Sequence, residues 1–516
     1  MQRNVARGLL FAGFLSLHLH ALYTLHAAIP LGIAACVVSA ALWCSLLGGR
    51  RWWALLLALM WLLLTVSLVL TLALVGRLPS SDTVWMLLSS PPYAAHLLRH
   101  AGPVGLYVAA LALLITVAAW AVRAAALPSL RWLGPLGAVG ALLLVRSASL
   151  VPADLAVLRL ASRMWAERAV RAEREPPSAG RRVVPDSVAM ASGDVRPARA
   201  VVWLIHESLR TDAPRPQLPA SRQYVYFAST YAQSTQTPVS VPSMLTGLAP
   251  DDTRAHFAEA PFAWHWFDAS GEASVFVSPQ IFTWSNLHRF YFDDRPPSFV
   301  RTAESFKGAP VNDGGVADGE AVDAALDLAD RVWSTRGELF LFVQFNAAHL
   351  PCWHPGVEPG SAHYEASAAR DARCHEAAAY ERREETRLLA GLSVQGSLQH
   401  AWIVSTSDHA EVPDGAPPGR AYDVRAELAH VPMWISPPPY WCIAHVGECA
   451  QLRTNTARIV ANTDLLPTLL DARGQGAPLG AVGHSLLRPL PAERVVRACI
   501  GVPLRAWDNH ACTEFH

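Results

Sequence analysis

Residues 200–212 read Ala-Val-Val-Trp-Leu-Ile-His-Glu-Ser-Leu-Arg-Thr-Asp. The apolar run from Val201 to Ile205, bounded by polar residues, suits a strand buried on both faces of a parallel sheet. It runs directly into His206-Glu207-Ser208. In open α/β sheets the carboxyl ends of the strands are where ligand groups collect. Similar short runs follow at Ala273–Val277, Leu339–Phe345, Ala401–Val404 and Pro432–Ile435. Helical patterns lie between them, as at Gly319–Thr335 and Ala377–Leu392. That alternation predicts a sheet flanked by helices.

Two further stretches carry polar groups where such a fold would use them. The run Ala401–Val404 continues into Ser405-Thr406-Ser407-Asp408-His409-Ala410-Glu411. Glu207 at one strand end and the adjacent Asp408 and His409 at another offer two carboxylates and an imidazole, a reasonable ligand set for a divalent metal. An oxygen-rich set with one nitrogen suits Zn²⁺ or Mn²⁺. The second stretch, residues 233–250, is a Ser/Thr-rich loop leading into an apolar helical start. A hydroxyl placed there sits at a helix N-terminus, which favours an anionic substrate. The bland alternative is that such a hydroxyl only caps the helix.

Outward from this region the composition changes. The chain has 516 residues, with 42 basic and 42 acidic, so its net charge is zero and an electrostatically driven nucleic-acid binder is excluded as the default. Charged residues make up only 16% and apolar ones 52%, which points to membrane content. The first 150 residues hold a single acid, Asp82, against nine Arg, so this part carries +8 and the remainder −8. Leu9–Leu25, Ile29–Leu47, Trp52–Val75, Val104–Val122 and Leu133–Val151 each approach or exceed the ~20 apolar residues of a spanning helix. Arg3, Arg7, Arg50, Arg51, Arg123 and Arg131 all fall on one side of such a five-span arrangement. That side is expected to be the cytoplasm. The expected organisation is a transmembrane helical domain over 1–154, an amphipathic helix and linker over 155–199, and an extracytoplasmic α/β domain over 200–516.

Cysteine usage agrees with an oxidising compartment. Cys36 and Cys44 lie within the second span and are expected to pack there. The other six are locally spaced, which favours Cys352 with Cys374, Cys442 with Cys449 and Cys499 with Cys512, although other pairings stay open.

The ordered set of motifs resembles the alkaline-phosphatase and sulfatase superfamily, and within it the membrane-anchored phosphoethanolamine transferases and lipoteichoic-acid synthases. Val201–Asp212 is similar to the opening strand with its metal-binding Glu, here Glu207. Thr235–Pro250, "TQTPVSVPSMLTGLAP", looks like the nucleophile segment and places Thr237 at the nucleophile. Val404–Glu411, "VSTSDHAE", is similar to the second metal motif and gives Asp408 and His409. Phe345–Pro351, "FNAAHLP", resembles the family's Ser-His-Gly-Pro stretch and gives His349. Residues 462–474 and 483–489 look like closing segments. Ala410 stands where the family has Gly. The segment around Tyr422 lacks the usual His two residues on, and His430 is the nearby candidate.

The resemblance implies an α/β/α sandwich of the alkaline-phosphatase/sulfatase type behind an all-α transmembrane domain of about five helices. It also implies an enzyme of the bacterial inner membrane with its catalytic domain on the periplasmic side. A metal, zinc by this resemblance, would be held by Glu207, Thr237, Asp408 and His409, with Thr237 and His349 catalytic. The implied reaction moves a phosphoethanolamine-like head group from a phospholipid donor to an envelope lipid or glycan acceptor, through a phosphothreonine. A hydrolase with water as acceptor, and a non-catalytic membrane scaffold, are the alternatives the residues leave open. A formylglycine sulfatase is disfavoured, because Thr237 cannot give the required aldehyde.

Overall fold

The computed structural model describes Val184 and residues 199–516, apart from 221, 270, 283–286, 293–294, 307–314, 351, 358–369, 412–423 and 501–510. The five expected spans, the amphipathic helix, Tyr422 and almost all of the linker lie outside the described residues. Among the described residues no helix is long and apolar enough to cross a membrane. The chain divides into two units, Met1–Glu173 and Arg174–His516, and the described residues all belong to the second.

Seven strands form one sheet. They are β1 (Ala200–His206), β2 (Val225–Phe227), β4 (Ala273–Val277), β5 (Phe299–Arg301), β6 (Leu339–Phe345), β7 (Ala401–Ser407) and β8 (Met433–Ser436), in the order β2-β8-β7-β1-β6-β4-β5. The five strands from β7 to β5 run parallel, and β8 is antiparallel to β7. Two small pairs complete the strands: β3 (Thr230–Tyr231) with β9 (Val460–Ala461), and β10 (Val496–Ile500) with β11 (Ala511–Phe515).

The alternation of side chains along each strand feeds two separate cores. Val201, Trp203 and Ile205 of β1 point to one face with Phe340, Phe342, Trp402 and Val404. On that face they meet α1 (Thr237–Thr246), α2 (Ala263–Ala269) and α5 (Leu465–Asp471). Val202 and Leu204 point to the other face with Leu341, Val343 and Ile403. They are covered by α3 (Asp318–Arg336) and α4 (Arg370–Val394). A sheet buried on both faces explains why β1 reads as a continuous apolar run. Helix α3 shows the matching helical period, burying Asp318, Ala321, Val322, Ala325, Leu328, Ala329 and Val332. It places acids in its first turn and Arg336 in its last, and closes on Gly337 in the left-handed region.

Among the described residues, three disulfides join the neighbours that local spacing favours. Cys352 pairs with Cys374, Cys442 with Cys449, and Cys499 with Cys512. The last is a cross-strand pair of the β10–β11 hairpin. The first ties the segment after β6 to the start of α4.

Helix α1 ends on Gly247, whose φ of 80° no ordinary side chain favours. Its N–H donates to the Ser243 carbonyl (2.8 Å), and a Cβ added there would lie 3.1 Å from that of Ala481. Gly247→Ala is therefore expected to destabilise the domain by about 1–2 kcal/mol, read as a lower denaturant midpoint at unchanged slope.

Candidate active site

The register of the central strands brings the functional residues to one level. His206 of β1 is paired with Phe345 of β6 on one side and with Ser407 of β7 on the other. The next residue of each strand is therefore Glu207, Asn346 and Asp408. Glu207 N–H still donates to the Phe345 carbonyl (2.9 Å), and Asp408 N–H to the His206 carbonyl (3.1 Å). Ser208 then turns the chain in the left-handed region, with φ of 64°. Such a conformation costs a non-glycine residue on the order of 1–3 kcal/mol. In return, the Ser208 N–H reaches Asp408 Oδ1 at 3.0 Å.

Each side chain is held so that one atom is left for the centre. Asp408 Oδ1 accepts two backbone amides, from Ser208 (3.0 Å) and His409 (2.8 Å). Asp408 Oδ2 is buried without a hydrogen-bond partner of normal geometry. His409 Nδ1 lies 3.2 Å from the Ala410 carbonyl, which can only accept, so that contact takes a hydrogen on Nδ1, and Nε2 faces Glu207 and Asp408. Glu207 Oε2 accepts from Gln280 Nε2 (2.8 Å) and Gln344 Nε2 (3.2 Å), and its Oε1 faces His409 Nε2 at 3.4 Å.

Thr237 is the first residue of α1. The N-cap is Gln236, which makes no side-chain cap bond, so the reading of Thr237 as a helix cap is corrected. Its hydroxyl donates instead to Glu207 Oε1 at 2.6 Å and lies 3.3 Å from His409 Nε2. Helix α1 is anchored behind it, where Ser240 Oγ donates to the Asp408 carbonyl (2.6 Å) and Val241, Met244 and Leu245 enter the core. Glu207, Asp408 and His409 are buried, whereas Thr237 is half-buried. Thr237 is thus the member of the group that keeps some exposed surface.

The charges in this group are unbalanced. Burial raises the Glu207 carboxyl, but the His409 imidazole, aided by His349 and the Thr237 hydroxyl, outweighs it and holds the group below the usual carboxylate range. Asp408 moves the other way, pushed up by burial and then by the charge of Glu207. Two carboxylates this deeply buried and this close together call for a cation between them. One donor atom from each of Glu207, Asp408 and His409 lies within 4.8 Å of the others. His409 Nε2 is 3.4 Å from Glu207 Oε1 and 3.4 Å from Asp408 Oδ2. Tetrahedral bonds of about 2.0–2.1 Å set neighbouring donors roughly 3.3–3.4 Å apart. The residues present therefore fit a divalent cation.

His349 is half-buried and follows β6. It lies near enough to lower the Glu207 carboxyl but stands outside the three-residue ligand group. His430 is half-buried; its Nε2 lies 2.8 Å from the Ala228 carbonyl, and it stacks on Tyr231. Ala410 is buried and is not among the positive-φ residues, so its Cβ imposes no backbone strain beside the ligands.

Sequence reasoning missed Ser208, Gln280 and Gln344. The glutamines fall on or beside strands β6 and β4, and only the folded sheet brings them to Glu207. The available signal was an amide side chain, Gln344, inside an otherwise apolar strand, Leu339–Phe345.

These observations define an α/β domain with a hydroxyl beside a buried group fit for a divalent cation, at the carboxyl edge of its parallel sheet. The chain belongs to the Sulfatase family, whose profile matches residues 199–474, more than half of its length, and thereby to the alkaline-phosphatase/sulfatase superfamily. Among solved structures it is similar to the integral membrane lipooligosaccharide phosphoethanolamine transferase A (EptA) of Neisseria meningitidis. That likeness has a TM-score of 0.57 at 13% identity, and covers 89% of this chain and 92% of that one. It is also similar to the C-terminal periplasmic domain of EptC from Escherichia coli. There the TM-score is 0.50 at 15% identity, with 64% of this chain and 97% of that one covered. At such identities the likeness speaks for the fold. No curated protein matches the chain.

Proposed function

We propose that this protein is a membrane-bound, metal-dependent transferase. It moves a phosphoethanolamine-like head group from a phospholipid to an envelope lipid or glycan, through a covalent intermediate on Thr237. The single observation that carries this reading is the position of the Thr237 hydroxyl, 2.6 Å from Glu207 Oε1 and 3.3 Å from His409 Nε2, beside a buried ligand set. Glu207, Asp408, His409 and the Thr237 oxygen would hold the cation. Zn²⁺ is the assignment, because tetrahedral oxygen and nitrogen donors suit it. When bound, the cation supplies the positive charge that makes the Thr237 alkoxide accessible near neutral pH.

The residues then divide the work. Glu207 Oε1 receives the hydroxyl hydrogen bond and so orients Oγ1 of Thr237. That oxygen attacks phosphorus, forming one P–O bond as the bond to diacylglycerol breaks, and the head-group ester stays intact. His349 supplies the proton for the leaving oxygen. In the second step the acceptor hydroxyl gives its proton to His349 as its oxygen attacks the same phosphorus, the P–O bond to Thr237 breaks, and Thr237 Oγ1 is released in the state in which it attacked. Spans over 1–154, with residues 152–516 outside the cytoplasm, would hold the site beside both lipids and raise their effective concentration. The head group is the part that transfer must preserve, and Thr237, unlike Cys or Ser, cannot be converted to the aldehyde that sulfate-ester hydrolysis in this family uses.

The test is mass spectrometry of envelope lipids and glycans from cells with and without the gene. The expected result is a phosphoethanolamine increment present only with the gene, together with matching diacylglycerol. Identical spectra from the two strains, in cells that make the protein, would refute the transferase reading.

A further inference from the structure

Behind the site lies a set of buried acids that the mechanism above does not use. Asp318, at the start of α3, accepts the Asn346 amide on Oδ1 (2.7 Å) and the Ala347 amide on Oδ2 (3.1 Å). Glu381, on α4, accepts the Ala348 amide on Oε2 (2.9 Å). Three consecutive amides of a loop are thereby held by two carboxylates, each at most 1% exposed. The next residue is His349, whose own N–H donates to the Asn346 carbonyl (3.1 Å). Glu381 has a second attachment. Its Oε1 is 2.5 Å from Nδ1 of His206, the residue before Glu207. The same helix carries Cys374, bonded to Cys352 just beyond His349.

Leaving a carboxylate buried is costly unless it is hydrogen-bonded. Apolar residues on α3 and α4 would pack the helices to the sheet without that cost. What the carboxylates add is a fixed course for residues 346–348. We propose that Asp318 and Glu381 are positioning residues. Asp318 fixes the loop that presents His349, and Glu381 fixes both that loop and the strand end that presents Glu207. The inference rests on the proposed roles of His349 and Glu207, and it assigns neither acid any contact with substrate.

The test uses the full-length protein and two near-isosteric variants, Asp318→Asn and Glu381→Gln. Amide exchange at 346–348 is expected to be slow in the wild type and to rise about fivefold or more in each variant, as the loss of one hydrogen bond dictates. Peptide-mapped labelling of His349 by diethylpyrocarbonate should speed up severalfold in both. With a fluorescent phosphatidylethanolamine donor, kcat should fall by roughly tenfold to a hundredfold while KM stays within about twofold. Zn²⁺ affinity should hold in Asp318→Asn and drop in Glu381→Gln. Fast exchange at 346–348 in the wild type would overturn the proposal without any variant, so a variant that fails to fold does not shelter it. Folded variants with wild-type exchange and labelling would overturn it equally. Should the wild type transfer no head group at all, the functional reading fails, and exchange, labelling and Zn²⁺ affinity still decide the positioning role.

Discussion

Thr237→Ala is expected to lower turnover on the order of 10³-fold or more, as removal of a nucleophile does, while the protein keeps its fold. The structural contribution at stake is small. Thr237 is not the cap of α1, and its side chain bonds within the ligand group, to Glu207 and near His409. Helix α1 stays anchored through Ser240 and through Val241, Met244 and Leu245. A loss of stability of about 1 kcal/mol covers the missing hydrogen bond. Thr237→Ser keeps the hydroxyl and is expected to retain part of the activity. Circular dichroism and a thermal melt, run beside the transfer assay, separate the two effects. Near-normal turnover by folded Thr237→Ala would remove the covalent step.

Glu207→Ala and His409→Ala are expected to lose the metal as well as the activity. Residues that merely support a ligand change metal affinity by about 10–100-fold when altered, so removing a ligand should cost more than about a hundredfold. The loss is visible without any substrate. A metal that binds only the folded state adds about 2.7 kcal/mol at a free concentration a hundred times its Kd. Added Zn²⁺ should therefore raise the melting temperature of the wild-type protein and leave that of either variant nearly unchanged. Full Zn²⁺ content in folded Glu207→Ala protein would take Glu207 off the ligand list.

How far the sequence alone discloses this site depends on how each residue is held. Strands β4 and β6 are legible to their ends because they are apolar but for Ser274 and Gln344 and are buried on both faces. Strand β7 extends past its apolar part, Ala401–Val404, through Ser405, Thr406 and Ser407. Those three look like a loop in sequence. They are strand because their backbone pairs with Leu204, Ile205 and His206 of β1, and their buried hydroxyls find partners, as Ser405 Oγ does in Glu385 Oε1 (3.2 Å), that only the folded sheet supplies. Strands β2, β5 and β9 are two or three residues long, too short to show a period.

Glu207, Asp408 and His409 are legible because they lie within a few residues of the end of an apolar run, so topology brings them to one edge. Thr237 is different. Its local signal, a hydroxyl before Pro238 at a helix start, is shared with ordinary caps, and the resemblance of the whole segment singled it out. Gln280 and Gln344 converge on Glu207 from 73 and 137 positions away, and no local pattern announces that. Glu381 and Glu385 lie one turn apart on a helix rich in charge, which reads as a solvated face, yet both are fully buried. Burial of a carboxylate is decided by its partners, here His206 and the Ala348 amide for Glu381, and Arg382 and Ser405 for Glu385.

The most direct test of the central claim is to stop the wild-type enzyme during turnover with its phospholipid donor and no acceptor, digest it, and measure the peptide containing Thr237. The account predicts a phosphoethanolamine increment that fragmentation places on Thr237 and that disappears when acceptor is added. An unmodified Thr237 in enzyme that is turning over, or the increment on another residue, would contradict it.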